Sequence, residues 1–144
     1  MKAIVIGADH RGYEYKQLIK EQLSKYTIID VGTQTKERCD FPLPAKAVAQ
    51  AVQNGSADCG ILLCGSGVGM SIAANRFRGI YAALAWNVTV ASLAKQHDNA
   101  NVLVIPADFV TIQEAQKMVQ AWFEAQFLGG RYQQRIDLID AFSS

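Results

Sequence analysis

The sequence predicts an α/β fold in which five parallel strands form one sheet with helices on both faces. Short apolar runs alternate with longer amphipathic stretches along the whole chain. This alternation is typical of strands joined by right-handed crossover helices. The length of 144 residues, half of them hydrophobic, suits one domain with a substantial core. The order of the strands cannot be derived from one sequence.

Five apolar runs have the length of buried strands and are bounded by turn residues. They predict strands at residues 2–8, 27–31, 58–64, 79–85 and 101–105. The first run turns polar at Asp9 and lacks a cleavage-site pattern, so we interpret it as a strand and not as a secretory leader. The polar stretch 32–41 is predicted to be a loop.

Six stretches have helical character, most of them with apolar residues spaced by three and four. They predict helices at residues 12–25, 45–53, 67–77, 88–96, 111–127 and 131–142. Pro42 and Pro44 suit the entrance of the second helix. Thr111 and Glu114 form a capping box at the start of the fifth, and the glycine pair 129–130 is predicted to end it.

Composition excludes several classes of partner. The formal net charge is +1 with no long basic run, which argues against nucleic acid or an anionic membrane as the main partner. No apolar stretch reaches the length of a membrane span. The three cysteines form no Cys-x-x-Cys motif, so we expect no disulfide framework and a cytoplasmic setting.

The chemistry is expected beyond the carboxyl ends of the strands, where open α/β sheets bind their ligands. Asp9, His10 and Arg11 follow the first strand, and Cys64 ends the third. The glycines at 65, 67 and 69 match neither the dinucleotide fingerprint nor a Walker A loop. Such a turn can hold an anion on its N–H groups, or it can serve only close packing of strand and helix, and the spacing alone leaves both open.

Cys64 has two interpretations. Near a helix N-terminus its thiol is expected to have a lowered pKa and to act as a base or nucleophile. Alternatively it is a core residue, since free cysteine is among the most buried residue types. Cys59 is interpreted as such a core residue, and neither it nor Cys39 is given a role. The spacing of the two histidines, His10 and His97, matches no zinc pattern, so no metal is expected.

Arg131 and Arg135 lie four residues apart and share one face of the last predicted helix. This arrangement suits a phosphate group. It also suits a solvated surface with Asp137 or Asp140 as partners, and spacing alone favours that second interpretation.

Five segments together resemble a known family. They are GADHRGYEYK at 7–16, DFP at 40–42, CGSGVGMSIAANRFRGI at 64–80, QHDNANVL at 96–103 and GGRYQQR at 129–135. In this order and spacing they resemble the ribose-5-phosphate isomerase B / galactose-6-phosphate isomerase family over nearly the whole chain. The resemblance implies a Rossmann-like three-layer α/β/α sandwich that forms a homodimer or tetramer with sites at the subunit interface.

The resemblance also implies an activity, which is isomerisation of an aldose phosphate to a ketose phosphate without metal or cofactor. Ribose 5-phosphate is the expected substrate. Cys64 looks like the base that moves the proton between C1 and C2, with Ser66 where threonine is frequent, and His97 looks like the group that assists ring opening. The expected substrate contacts are Asp9, His10, Gly65, Gly67, Val68, Gly69, Asp98, Arg131 and Arg135. The helix 131–142 is expected to contribute to both the site and the dimer contacts of a single domain, 1–144.

The sequence departs from the family pattern at five positions. Phe41, Tyr81, Asp98, Asp108 and Tyr132 stand where tyrosine, arginine, asparagine, arginine and histidine are common in the family. The loss of positive charge at positions 81 and 108 affects the expected binding of the phosphate. A six-carbon sugar phosphate such as galactose 6-phosphate or allose 6-phosphate is therefore an alternative substrate. Two further hypotheses stay open at this point, a non-catalytic sugar-phosphate or nucleotide binding module and a subunit active only with a paralogous partner.

Overall fold

All five predicted strands are present in the computed structural model, which describes residues 1–143. They are β1 (Ile4–Ala8), β2 (Ile28–Asp30), β3 (Cys59–Cys64), β4 (Ala82–Leu84) and β5 (Val102–Pro106). Every pairing is parallel and the order across the sheet is β2-β1-β3-β5-β4. The predicted parallel sheet is confirmed, with β2 and β4 shorter than expected because both lie at an edge of the sheet.

Helices cover both faces of the sheet, as predicted. They are α1 (Tyr13–Gln22), α2 (Pro42–Gln53), α3 (Val68–Ala74), α4 (Val88–Asp98), α5 (Ile112–Glu124) and α6 (Arg131–Asp140), with a short 3-10 helix at Ala141–Ser143. On one face, Ile19 of α1 and Trp122 of α5 pack with Ile61 of β3. On the other, Val48 of α2 and Met70 of α3 pack with Leu62. Neighbouring residues of β3 thus pack in the two separate cores, because side chains alternate between the two faces along a strand.

Local signals set the helix ends only in part. The capping box of Thr111 and Glu114 is confirmed, with each side chain accepting from the other residue's amide at 3.1 Å. The helix α5 ends at Glu124, three residues before the predicted 127, because the backbone of Ala125 is already extended. Gly129 and Gly130 have φ angles of 67° and 54°, so they serve the turn into α6.

A buried ion pair fixes the sheet edge at β2. The Lys16 side chain is fully buried, and its Nζ donates to both carboxylate oxygens of Asp30 at 2.8 and 2.7 Å. Lys20 donates to the same carboxylate at 2.8 Å. Burial alone raises the pKa of Asp30, but the hydrogen bonds from Lys16 and Lys20 outweigh it and leave the pKa lowered. Breaking such a pair on one side costs about 3–5 kcal/mol.

The strand order determines what meets at the carboxyl edge. In the centre of the sheet β3 lies between β1 and β5, with Leu63 opposite Ala8 and Cys64 opposite Pro106. The loops that follow β1 and β5 therefore flank the end of β3. The chain crosses to opposite sides of the sheet after β1 and β3, which makes this edge the expected ligand-binding crevice.

Candidate active site

Cys64 ends β3 and is 5% exposed. Its side chain belongs to the core between the sheet and the helices α2 and α3. The Gly67 amide donates to Sγ at 3.2 Å. The interpretation of Cys64 as a core residue is thus confirmed by its burial. Its contact with the Gly67 amide places the thiol at the glycine turn, and its role as a base stays a prediction.

The expected lowering of the Cys64 pKa is wrong. Burial raises the pKa of the thiol, and this outweighs the lowering by the amides of Met70, Gly67 and Ser66. The charge of Asp9 raises it further. The helix-end rule fails here because it omits desolvation, which favours the neutral thiol in an apolar core. Burial likewise raises the pKa of Cys59 to about 11, in keeping with its interpretation as a core residue.

The glycine turn after Cys64 is shaped by close contacts. Gly67 has a φ of 77°, and a Cβ there would lie 2.4 Å from the Leu84 side chain. A Cβ on Gly69 would lie 2.7 Å from the ring of Phe41. Ser66 is exposed, and its Oγ accepts from the Val68 amide at 3.3 Å. The glycines thus allow a second strand and an aromatic ring to approach the turn that carries the Ser66 hydroxyl.

Asp9 follows β1 and is only 7% exposed. Its Oδ1 accepts from the amides of Arg11 at 2.9 Å and Gly12 at 3.2 Å, and its own amide donates to the Leu63 carbonyl at 3.2 Å. These bonds tie the turn after β1 to β3. The carboxylate therefore has a fixed position next to the end of the strand that carries Cys64.

A cleft of about 340 Å³ opens at this edge. We call it the strand-end cleft; it is lined by Asp9, Arg11, Phe41, Cys64, Gly65, Ser66, Gly69, Asp108 and Phe109. It brings together five of the predicted site residues, Asp9, Cys64, Gly65, Ser66 and Gly69. Gly67 and Val68 belong to the same turn without lining the cleft. His10 lies beside it, where Nδ1 accepts from the Cys39 amide at 3.2 Å.

Sequence reasoning gave Arg11 no role. Its Nε donates to Oδ2 of Asp108 at 2.6 Å, and its Nη2 lies 2.5 Å from the same oxygen. The available signal was a basic residue just after one strand and an acidic residue just after another. The two residues could be paired only with knowledge of the strand order. Their loops lie on either side of Cys64 because β3 is placed between β1 and β5 in the sheet.

Three of the other predicted residues form a second group with Tyr132, which was not predicted as a site residue. We call this group the helix-end cluster: His97, Arg131, Tyr132 and Arg135. The rings of His97 and Tyr132 stack with centroids 4.4 Å apart and planes 6° from parallel. The guanidinium carbons of Arg131 and Arg135 lie 5.0 and 5.5 Å from the Tyr132 ring centroid. Tyr132, at a position where histidine is common, thus organises both arginines and His97.

The acidic partners suggested for these arginines are engaged elsewhere. Asp137 accepts from Gln133 at 2.8 Å, and Asp140 accepts from the Tyr81 hydroxyl at 2.6 Å. Burial and the Asp140 carboxylate raise the pKa of Tyr81 to about 12. Within residues 1–143, neither Arg131 nor Arg135 forms an ion pair with an acidic side chain. Both arginines therefore lie on an exposed helix face, as the second interpretation expected, but without Asp137 or Asp140 as partners.

One chain does not bring the two groups together. The helix α4, which carries His97, ends at Asp98, just before the amino end of β5, whereas Cys64 pairs with the last residue of that strand. The two ends of β5 are roughly 13 Å apart along the strand. None of the residues that line the strand-end cleft, in the described part of the chain, comes from the helix-end cluster, and exposed Asp98 is absent from the cleft as well.

Two further properties of the described residues concern metal binding and membrane spans. Among residues 1–143, no three His, Cys, Asp or Glu side chains are grouped so that they could hold a metal ion. The helices of the same residues include none that is both long and apolar enough to cross a membrane.

Comparison with known proteins identifies the family. The model of the ribose/galactose isomerase family matches residues 4–139. The chain belongs to this family. The resemblance seen in the five sequence segments is thereby confirmed.

Relatives in the family match over nearly their full length. Ribose-5-phosphate isomerase B of Escherichia coli is 45% identical over 143 residues, which are 98% of this chain and 96% of that protein. The structure of Clostridium thermocellum ribose-5-phosphate isomerase B has a TM-score of 0.96 at 40% identity, covering 98% of this chain and 97% of that one. The Mycoplasma genitalium enzyme, solved with bound ribulose 5-phosphate, has a TM-score of 0.93 at 42% identity, covering 98% and 95%. The Rossmann-like α/β fold is confirmed by these neighbours.

Proposed function

We propose that this protein is an aldose–ketose isomerase that interconverts ribose 5-phosphate and ribulose 5-phosphate. The observation that carries the proposal is Cys64, a nearly buried thiol at the end of a central strand, which meets a turn of backbone amides inside a cleft. Family membership supports the reaction type. The names of the relatives, one of them solved with ribulose 5-phosphate, support the five-carbon substrate.

The reaction requires a base next to a carbon that lies beside a carbonyl. As a thiolate, Cys64 removes the proton from C2 of the open-chain aldose, and the carbonyl electrons move onto O1 as the C1–C2 double bond forms. The same proton returns to C1, and the proton on O2 passes to O1 to give the ketose. The Ser66 hydroxyl, which lines the cleft, is the group we assign to that last transfer. No metal and no cofactor enters this scheme.

The enediolate requires hydrogen-bond donors as well as a base. The turn from Gly65 to Gly69, including Gly67 and Val68, supplies backbone amides around Cys64, and Gly65 and Gly69 line the cleft itself. First-turn amides of a helix have no carbonyl partner within it. We assign them to the thiolate and the oxyanion, a role worth roughly 10²–10³ in rate for one donor. Asp9 and His10 are assigned to the sugar hydroxyls.

The separation of the two groups extends the proposal to a homodimer, alone or as half of a tetramer. The helix-end cluster of one copy then completes the strand-end cleft of the other. His97 assists opening of the sugar ring, Asp98 contacts the substrate, and Arg131 and Arg135 bind the phosphate. In this arrangement the C-terminal helix of the single domain 1–144 serves both the site and the dimer contacts. All three cysteines are free, which supports the proposed cytoplasmic setting.

The purified chain should turn over ribose 5-phosphate faster than galactose 6-phosphate or allose 6-phosphate. Steady-state rates on the three substrates measure this. Undetectable turnover of the five-carbon pair together with turnover of a six-carbon phosphate would move the assignment to the alternative substrate. If none of the three substrates is turned over but ribose 5-phosphate still binds, the protein is either a binding module or a subunit that is active only with a paralogous partner.

A complementation experiment tests the shared site. Cys64→Ala and the double variant Arg131→Ala/Arg135→Ala should each lose most activity at low substrate concentration. Co-refolded together they should recover about a quarter of the wild-type rate, since half of the dimers are mixed and each mixed dimer has one intact site. The separately refolded variants are the control. No recovery despite formation of mixed dimers would show that the two groups act within one chain.

A further inference from the structure

Arg11 lines the strand-end cleft, and the proposed function gives it no role. Among the described residues that line the cleft it is the only basic one, and its side chain is 58% exposed. Its amide is fixed by the Asp9 carboxylate at 2.9 Å. The base of this side chain is therefore held in place, while its charged end reaches into solvent beside Cys64.

Asp108 holds the guanidinium against the loop that carries the thiol. A single carboxylate oxygen of Asp108, Oδ2, contacts both Nε and Nη2 of Arg11. A Cβ placed on Gly65 would lie 2.7 Å from that oxygen and 2.8 Å from Nε of Arg11. The ion pair therefore lies directly over the residue that follows Cys64, and a side chain at position 65 would displace it.

The backbone of Asp108 is fixed to the same loop. Its amide donates to the Gly65 carbonyl at 3.0 Å, and the Ala107 amide donates to the Cys64 carbonyl at 2.8 Å. The ends of β1 and β5 thus contribute one partner each to a pair that bridges the end of β3. This geometry fixes where the guanidinium lies relative to the thiol.

We propose that Arg11 binds the phosphate of the substrate within the strand-end cleft, together with Arg131 and Arg135 of the other copy, and that Asp108 positions Arg11. An arginine has five N–H donors, and the contacts with Asp108 use two nitrogens, so donors are left for a phosphate. Asp108 stands where arginine is common in the family, and the adjacent Arg11 offsets its negative charge and has donors free for a phosphate. The inference rests on the proposed sugar-phosphate substrate.

The test compares Arg11→Ala with Arg11→Lys and with Lys117→Ala, a control on the exposed face of α5. Arg11→Ala should raise the KM for ribose 5-phosphate about tenfold and change kcat by less than about threefold, since a charge-assisted contact to a remote group is lost. Arg11→Lys should restore part of the affinity, and Lys117→Ala should leave KM unchanged. The inhibition constant of inorganic phosphate should rise in parallel. An unchanged KM in Arg11→Ala would overturn the proposal.

The positioning role of Asp108 requires a double-variant cycle. Asp108→Ala should raise KM several-fold in the wild-type background and should not raise it in Arg11→Ala, because it acts through the arginine. An equal increase in both backgrounds, or a lower KM in the first, would overturn this role. Calorimetric titration of ribose 5-phosphate into Cys64→Ala, with and without Arg11→Ala, measures the affinity without turnover. Equal dissociation constants would refute the role of Arg11 even where the wild type is an active isomerase.

Discussion

In the strand-end cleft, the Cys64 thiol is nearly buried and its Sγ accepts a backbone amide, whereas the guanidinium groups of the helix-end cluster are exposed and rest on one aromatic ring. The first region is built from strand ends and a tight turn, so its polar atoms have fixed positions. The second is built from long side chains on α4 and α6. Proton transfer at carbon tolerates little misplacement, whereas attraction of a phosphate depends mainly on charge.

This difference suggests a division of labour. In the proposed function the cleft supplies the thiol and the turn amides from one chain, and the one basic side chain that lines it, among the described residues, is paired with Asp108. The cluster has two arginines without an acidic partner in residues 1–143 and a histidine, but it has no thiol. Each region has what the other lacks, which is why the proposed site needs two copies.

The largest expected effect comes from removing the thiol. Cys64→Ala should lower kcat by about 10²–10⁴-fold, the range typical of a general base, while the dissociation constant of ribose 5-phosphate changes little. Cys39→Ala is the matched control and should retain full activity, because only the backbone amide of Cys39 contacts a site residue, His10. Steady-state kinetics and calorimetry measure both. A near-wild-type kcat in Cys64→Ala would show that the thiol is not the base of the reaction.

The pH dependence tests whether burial controls that thiol. Since the pKa of Cys64 is raised, only a small fraction is thiolate near neutral pH. The value of kcat/KM should therefore rise about tenfold per pH unit between roughly pH 7 and pH 9 and fall correspondingly on acidification. The profile of Cys39→Ala serves as control and should overlay it. A plateau already reached at pH 7 would mean that the turn amides outweigh desolvation in the assembled enzyme.

The sequence was sufficient to predict the strands and helices and the edge of the sheet at which the strand-end cleft lies. Apolar runs and helical spacing predicted five parallel strands, and the rule for strand ends placed Asp9 and Cys64 at one crevice. These features depend on local patterns. The order β2-β1-β3-β5-β4 depends on contacts between distant segments, and no local pattern encodes them.

Three properties of the site depend on the folded structure and could not be predicted from the sequence. The raised pKa of Cys64 follows from its depth in the core between α2 and α3, which the helix-end rule does not include. The pairing of Arg11 with Asp108 follows from two loops separated by 97 positions in sequence. The stacking of His97 on Tyr132 likewise required the fold, since the two rings lie on different helices.

The smallest expected effect concerns the ring that organises the helix-end cluster. Tyr132→Ala removes the surface on which His97, Arg131 and Arg135 rest, and contacts of this kind are worth about 0.5–1.5 kcal/mol each at exposed sites. We expect KM for ribose 5-phosphate to rise about three- to tenfold with kcat within about twofold. Tyr132→Phe keeps the ring and loses only the 2.9 Å bond from Arg131 to the hydroxyl, so its KM should change by no more than about twofold. Equal effects of the two variants would mean that the hydroxyl, and not the stacked ring, orders the arginines. If Tyr132→Ala lowered kcat as much as Cys64→Ala does, the helix-end cluster would take part in the chemical step and would not act only in phosphate binding.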